Sequence, residues 1–215
     1  MNRFFSTFFL LLSMLLGACD SADKPTLALY LAVERGDIDQ IQRHIQWGSD
    51  INQLNSDGLR PLHVASAQGD QAIVRLLLEH KAQIDAPDSK GETPLMAAVL
   101  NGRTQIAELL IKNGARYDAT QLLFAAVERG VKDRDVYRLL VSLNADMNSI
   151  GSDGETPLTK AIRANARVLV KNLINHGADP NQPERNNLYP LTLAERLGDE
   201  DIIRLLHRNG AQNPP

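Results

Sequence analysis

Two ladders of residues recur along this chain at one shared spacing, and they leave few folds open. Gly48, Lys81, Gly114, Asn144, Gly177 and Gly210 stand at one equivalent position, each followed by a small residue, Ser49, Ala82, Ala115, Ala145, Ala178 or Ala211. The intervals are 33, 33, 30, 33 and 33 residues. A second ladder runs through Gly36, Gly69, Gly102, Gly130, Asn165 and Gly198, and five of the six units carry paired Leu or Ile before the first ladder, as in Leu76-Leu77-Leu78 and Leu109-Leu110-Ile111. A fixed period of this length marks a stack of supersecondary units, none of which buries its apolar face alone.

The third unit shows what each repeat builds. Thr93 suits a helix cap, and Pro94 suits the first turn, where a missing N–H costs nothing. The small residues Ala97 and Ala98 let this helix approach its neighbours, and Gly102 ends it in a left-handed conformation. A second helix follows with Ile106, Leu109 and Leu110 on one face. Gly114 closes it, and the next segment turns outward into a hairpin-like loop bearing Asp118 or its equivalents.

That period, together with Asp57-Gly58-Leu59-Arg60-Pro61-Leu62-His63, Gly91-Glu92-Thr93-Pro94-Leu95 and Gly154-Glu155-Thr156-Pro157-Leu158, resembles the ankyrin repeat. Arg60 and Tyr189 replace the usual threonine, and Lys81 and Asn144 replace glycine. The resemblance implies an all-α ankyrin-repeat solenoid of about six helix-turn-helix units with hairpin-like loops, covering residues 26–213. It also implies that His63 hydrogen-bonds between repeats.

The ends read as caps. Gln40 and His44 stand where inner units carry Ile73 and Leu77, and His207 stands where others carry Leu78, Ile111 and Ile174. Polar residues on terminal faces keep a solenoid soluble, so 26–213 is expected to be the whole array. The fourth unit is irregular: Ala115 to Leu123 is eight steps against thirteen from Ala178 to Leu191, and Gly130 to Leu139 is two longer than Gly102 to Leu109. A missing finger and a longer turn between helices follow. Loops tolerate such changes without consequence, while the functional alternative is a notch that accepts part of a partner.

Residues 1–18 read as a signal peptide. Arg3 is followed by an apolar run from Phe4 to Leu16, interrupted by Ser6, Thr7 and Ser13, too short for the roughly 20 residues of a membrane span. The alternative is a buried N-terminal helix, but no helix cap or amphipathic period accompanies the run. Leu16-Gly17-Ala18-Cys19 resembles the lipobox of bacterial lipoproteins, and Leu16 is a poor residue for ordinary signal cleavage after Ala18. The resemblance implies lipidation of Cys19, the chain's one cysteine, with several acyl chains anchoring stably where one would be marginal. No thiol would then remain for a disulfide. Residues 19–25 become a lipidated cysteine and short tether spanning at most about 20 Å. Asp20 resembles an inner-membrane retention signal, which slightly favours that membrane. The expected location is the bacterial cell envelope, lipid-anchored and facing the periplasm.

Composition narrows the function. A net charge of -3 and a pI near 5.9 argue against a nucleic-acid binder, which carries a basic excess or stripe. No phosphate loop, HExxH pair or Gly-x-Ser-x-Gly elbow occurs. His80 and His176 occupy one position in units two and five, about 25–30 Å apart for helices stacked 8–10 Å per layer, too far to share a metal. No catalytic residue, cofactor or metal is expected.

Ankyrin proteins bind partners through hairpin tips and the exposed side of the first helices. Carried onto this chain, that surface comprises Asp57, Leu59 and Gln68, then Lys90, Glu92, Leu100 and Asn101. It continues through Glu128 and Arg129, Asp153, Glu155 and Arg163, to Arg185, Leu188 and Arg196. Mixed charge with a few exposed leucines suits a polar protein partner. Arg35, Arg129, Arg163 and Arg196 form a row at the ends of first helices, and arginine is enriched at interface hot spots. Reversing Arg129 and Arg163 together is expected to weaken capture without lowering stability. The sequence thus points to a monomeric, membrane-tethered scaffold that recognises another envelope protein, as a protective or assembly factor or as an immunity protein. An envelope enzyme with an unfamiliar site and a passive spacer are the competing readings.

Overall fold

The computed structural model describes residues 24–212, which form twelve α-helices and no strand. The signal peptide and Cys19 lie outside the described residues. The helices come as six pairs: α1 (Leu29–Glu34) with α2 (Ile38–Trp47), α3 (Pro61–Gln68) with α4 (Gln71–Glu79), and α5 (Pro94–Leu100) with α6 (Thr104–Lys112). Then come α7 (Ala119–Glu128) with α8 (Arg134–Ser142), α9 (Pro157–Arg163) with α10 (Arg167–Asn175), and α11 (Pro190–Leu197) with α12 (Glu200–Arg208). This is the expected all-helical ankyrin-repeat solenoid.

None of these helices exceeds ten residues, a length that is marginal for an isolated helix in water. Packing holds them. Ala32, Ala65, Ala98, Ala126, Ala161 and Ala194 occupy one position in the six first helices and are all fully buried. Side chains this small let α1, α3, α5, α7, α9 and α11 pack on one another in a continuous row. The second helices present larger groups: Leu77, Leu110, Leu140, Leu173 and Leu206 share one position and are likewise fully buried. A row with small contacts on one side and large ones on the other bends toward the small side, so the first helices line the concave face.

Local chemistry agrees with the sequence. Thr93 caps α5 by accepting the Met96 N–H at 3.2 Å. Thr156 and Thr159 form a reciprocal capping box at the start of α9. Arg60 and Tyr189, in the same position, supply no side-chain cap. Lys81 and Asn144 adopt φ of 67° and 64° at the glycine ladder. A lysine there carries a steric cost that glycine avoids. Lys81→Gly is therefore expected to raise stability by about 0.5–1 kcal/mol, read as a higher urea midpoint.

The first cap differs from expectation. Gln40 and His44 are buried, not solvent-facing. The segment before α1 folds over them: Thr26 N–H donates to Gln40 Oε1 at 3.0 Å, and His44 Nε2–H donates to the Leu27 carbonyl at 2.7 Å. The Ser49 hydroxyl completes the arrangement 2.9 Å from His44 Nδ1. These polar side chains hold a strap of chain in place. His207 at the other end is exposed, as expected.

The fourth unit lacks a finger. Asp118 bears no hairpin; its carboxylate accepts the Thr120 and Gln121 N–H groups at 2.9 and 3.0 Å and so caps α7, which starts a turn earlier than its counterparts. Of the two extra residues after Gly130, Val131 is buried and Lys132 is exposed, and the carbonyls of both accept hydrogen bonds. Tyr137, at a position held by Val74, Ala107 and Val170, is fully buried and donates its hydroxyl to the Val131 carbonyl at 2.7 Å. Asn172 of the next unit donates to the Lys132 carbonyl at 2.9 Å.

Candidate protein-binding face

Units two, three, five and six each project a tight turn. Gly58, Gly91, Gly154 and Asn187 donate to the carbonyls of Asn55, Asp88, Gly151 and Glu184 at 2.9–3.2 Å. A second bond closes the base of each finger, from Asn55 to Leu59, Asp88 to Glu92, Gly151 to Glu155 and Glu184 to Leu188. Asn55 and Asp88 brace their own turns, each accepting two backbone N–H groups. The fingers stack in pairs: Ser89 N–H donates to the Gly58 carbonyl at 2.9 Å, and Arg185 N–H to the Gly154 carbonyl at 3.0 Å.

A network of charge fixes the fifth finger to the helices behind it. Lys160 on α9 bonds Asp153, lies 3.2 Å from Glu128 of α7 and 3.8 Å from Glu155, and stands 6.0 Å from the centre of the Phe124 ring. Burial works against its charge, yet the bonds from Asp153 and Glu128 outweigh it and hold the ammonium above the ordinary lysine range. Asp153 is correspondingly held below the usual carboxylate range by Lys160 and by the Glu155 N–H. Arg163 bridges Glu155 at 2.7 Å and both oxygens of Glu184 at 2.9 Å, and Glu184 is buried. Arg129 reaches back to Glu92 of the third finger at 2.6 Å.

The expected surface residues divide accordingly. Asp57, Lys90, Asp153 and Arg185 sit exposed at finger tips, and Arg35 and Arg196 are exposed at the ends of α1 and α11. Gln68 is exposed and donates to the Glu34 carbonyl of the preceding unit at 3.0 Å, while Asn101 donates to the Ala97 carbonyl of its own helix. The leucines depart from expectation. Leu100 is buried, and Leu59 and Leu188 are half-buried against the core, so these three belong to the packing beneath, whereas Leu54 and Ile150 beside the fingers and Leu197 at the end of α11 are exposed. Arg163 departs too: tied to a buried carboxylate, it cannot be reversed without cost to stability.

Lys160, Phe124 and Glu184 escaped the sequence reading, although Lys160 carried a signal. It occupies a first-helix position held by Val64, Ala97, Ala125 and Leu193 in other units, and a lysine among apolar residues implies acidic partners nearby.

His63 links units as expected, donating Nε2–H to the Glu92 carbonyl at 2.9 Å. Burial pushes its pKa below the ordinary 6.5, against the raising effect of that bond. The unfolded chain therefore binds more protons between the depressed value and about 6.5, and stability rises with pH across that window. Thermal melts should show a midpoint that falls on acidification through this range, with the fall reduced in His63→Gln.

Among the described residues no group of three His, Cys, Asp or Glu side chains is placed to hold a metal ion. What this geometry offers is an extended, braced, mixed-charge surface of the kind that recognises another macromolecule by shape. Helix-pair units stacked through a shared alanine row, four of them topped by a turn, define the repeat class, and the chain belongs to the ankyrin repeat family: the family described as ankyrin repeats (3 copies) matches residues 29–121 and 123–214. The ankyrin fold is in general a protein-interaction module. The chain is similar to the ankyrin repeat protein YahD of Escherichia coli (strain K12), 29% identical over 191 residues, covering 84% of this chain and 94% of that one. It is 33% identical over 76 residues to an ankyrin repeat-containing protein of Treponema pallidum, covering 35% of this chain and spanning about a quarter of that protein's length (26%). Among solved structures it is similar to one chain of a complex described as the predatory endopeptidase Bd0816 from Bdellovibrio bacteriovorus with immunity protein Bd3460. That match has 27% identity and a TM-score of 0.67, and covers 86% of this chain and 99% of that one.

Proposed function

We propose that this protein is a membrane-tethered scaffold in the bacterial envelope that captures one other envelope protein through its fingers and first helices. The observation that carries this reading is the concave face itself. Its charges are balanced and cross-linked between units, from Arg129–Glu92 to Arg163–Glu184, so the surface is preorganised and loses little entropy when a partner docks. The lipobox-like Leu16-Gly17-Ala18-Cys19 supports the tether, and the family's role as an interaction module supports the capture. Of the two roles open to such a binder, restraint of a hydrolase is favoured over assembly of an enzyme. The similar solved structure is a complex of an endopeptidase with an immunity protein, and the match spans nearly all of one of its chains.

Reversible cross-linking in intact cells, followed by purification of the tagged full chain, should return one protein in near-stoichiometric amount. A double reversal of Arg35 and Arg129, each exposed, should weaken its capture while changing stability by less than about 1 kcal/mol. Recovery of no protein above background would rule out the scaffold reading. In the same cells Cys19→Ser should move the protein from the membrane to the soluble fraction, and continued membrane association would remove the lipid anchor.

A further inference from the structure

The missing finger leaves a stack of turns interrupted in its middle. In both finger pairs the rule is the same: the N–H at the second position of one turn donates to the carbonyl of the preceding turn's fourth-position glycine, Ser89 to Gly58 and Arg185 to Gly154. At the fourth unit this pattern stops. Among the described residues the Gly91 carbonyl of the third finger accepts no hydrogen bond, and the Ser152 N–H of the fifth finger donates none. Both residues are exposed.

The space over the glycine tells the same story. A Cβ built on Gly58 would fall 2.1 Å from the Ser89 hydroxyl, and one on Gly154 would fall 3.3 Å from the Arg185 Cβ, because the next finger covers each. The same face of Gly91 meets nothing within 4 Å. The third finger thus presents an uncovered acceptor and the fifth an uncovered donor, with the polarity that an intervening turn would satisfy on both sides. The flanks are braced, the third finger against the end of α7 through Glu92–Arg129 and the fifth through Asp153, which bonds the Lys160 ammonium that also meets Glu128 of α7. The floor is the early first turn of α7, which stands where a finger would begin.

We infer that this gap is a docking slot for a tight turn of the captured protein, which completes the finger stack by donating an N–H to Gly91 and accepting one from Ser152. The inference rests on the scaffold reading and adds where the partner enters and in what conformation. The intact pairs define the occupant: a four-residue turn whose second residue presents its N–H across a glycine, as Ser89 does over Gly58 and Arg185 over Gly154. It is the turn equivalent of a peptide adding a strand to an open sheet edge.

The test uses the full chain and a displayed library of disulfide-closed seven-residue loops. Two variants accompany it. One restores a finger by placing a copy of residues 147–156 between Arg116 and Leu122, which gives Ala115 to Leu123 the thirteen steps of Ala145 to Leu158. The other is Ser152→Pro, which removes the donor at the second position of a turn, where proline is well tolerated. Ser56→Pro, the equivalent change on the outer edge of the row, is the control. Loops enriched on the native chain should bind the restored-finger variant at least about 100-fold more weakly, bind Ser152→Pro about 3- to 10-fold more weakly as expected for one lost hydrogen bond, and be indifferent to Ser56→Pro. Enriched loops that bind Ser152→Pro as well as the native chain overturn the slot, as does failure to enrich any loop. A natural partner captured equally by the restored-finger variant would also overturn it while leaving the scaffold reading intact.

Discussion

Arg163→Glu should destabilise the fold by about 2–4 kcal/mol, far more than the same reversal at Arg129. Its guanidinium holds both oxygens of Glu184 at 2.9 Å, and the Glu184 side chain is only 3% exposed. Breaking a buried pair from one side leaves an uncompensated charge and costs about 3–5 kcal/mol; the lower range here allows for an arginine side chain that is 38% exposed and partly screened. The new carboxylate would also face Glu155, now 2.7 Å from the arginine Nε. Arg129→Glu removes a pair whose members are 53% and 24% exposed, and it should cost less than about 1 kcal/mol. Urea denaturation of the two variants separates these cases, and equal midpoints would mean that the Glu184 pair contributes nothing particular.

Tyr137→Ala should cost about 3–5 kcal/mol, the range for removing a large aromatic from a closed core. Tyr137 is fully buried, and its hydroxyl is bonded to the carbonyl of Val131 within the two-residue insertion. Tyr137→Phe keeps the ring, leaves that carbonyl unpaired, and should cost about 1–2 kcal/mol. Deleting Val131 and Lys132 together with Tyr137→Val, which recreates the arrangement of units two and five, should recover most of the loss. Destabilisation by the double change equal to that of the deletion alone would show that ring and insertion are independent.

Those two residues mark where the sequence was legible and where it was not. Periodicity exposed the helix pairs, the left-handed ladder and the absent finger, because each depends on spacing along the chain and on backbone needs that only a few residue types meet. The insertion after Gly130 was visible as a length change, but its filling by Tyr137 was not, since a single tyrosine in a helix gives no sign of which carbonyl it will meet. Gln40 and His44 looked like solvated caps for the same reason: the strand of chain that covers them has no repeat to align with. On the candidate face, the exposed tips followed from the turn chemistry of Asp57 and Asp153. Whether an arginine is free or committed depends on partners in the next unit, as Glu184 is for Arg163, and an alignment of one repeat on another does not display that.

Under the proposed function a protein partner is gripped by the fingers and first helices. Photo-cross-linking residues placed singly at Asp57, Lys90 and Gln121 on that face, and at Gln105 and Lys171 on the second helices, test it directly in cells. One discrete adduct from the first three positions and none from the last two is the result this account requires. An adduct confined to the second-helix positions, or none from any, would contradict it.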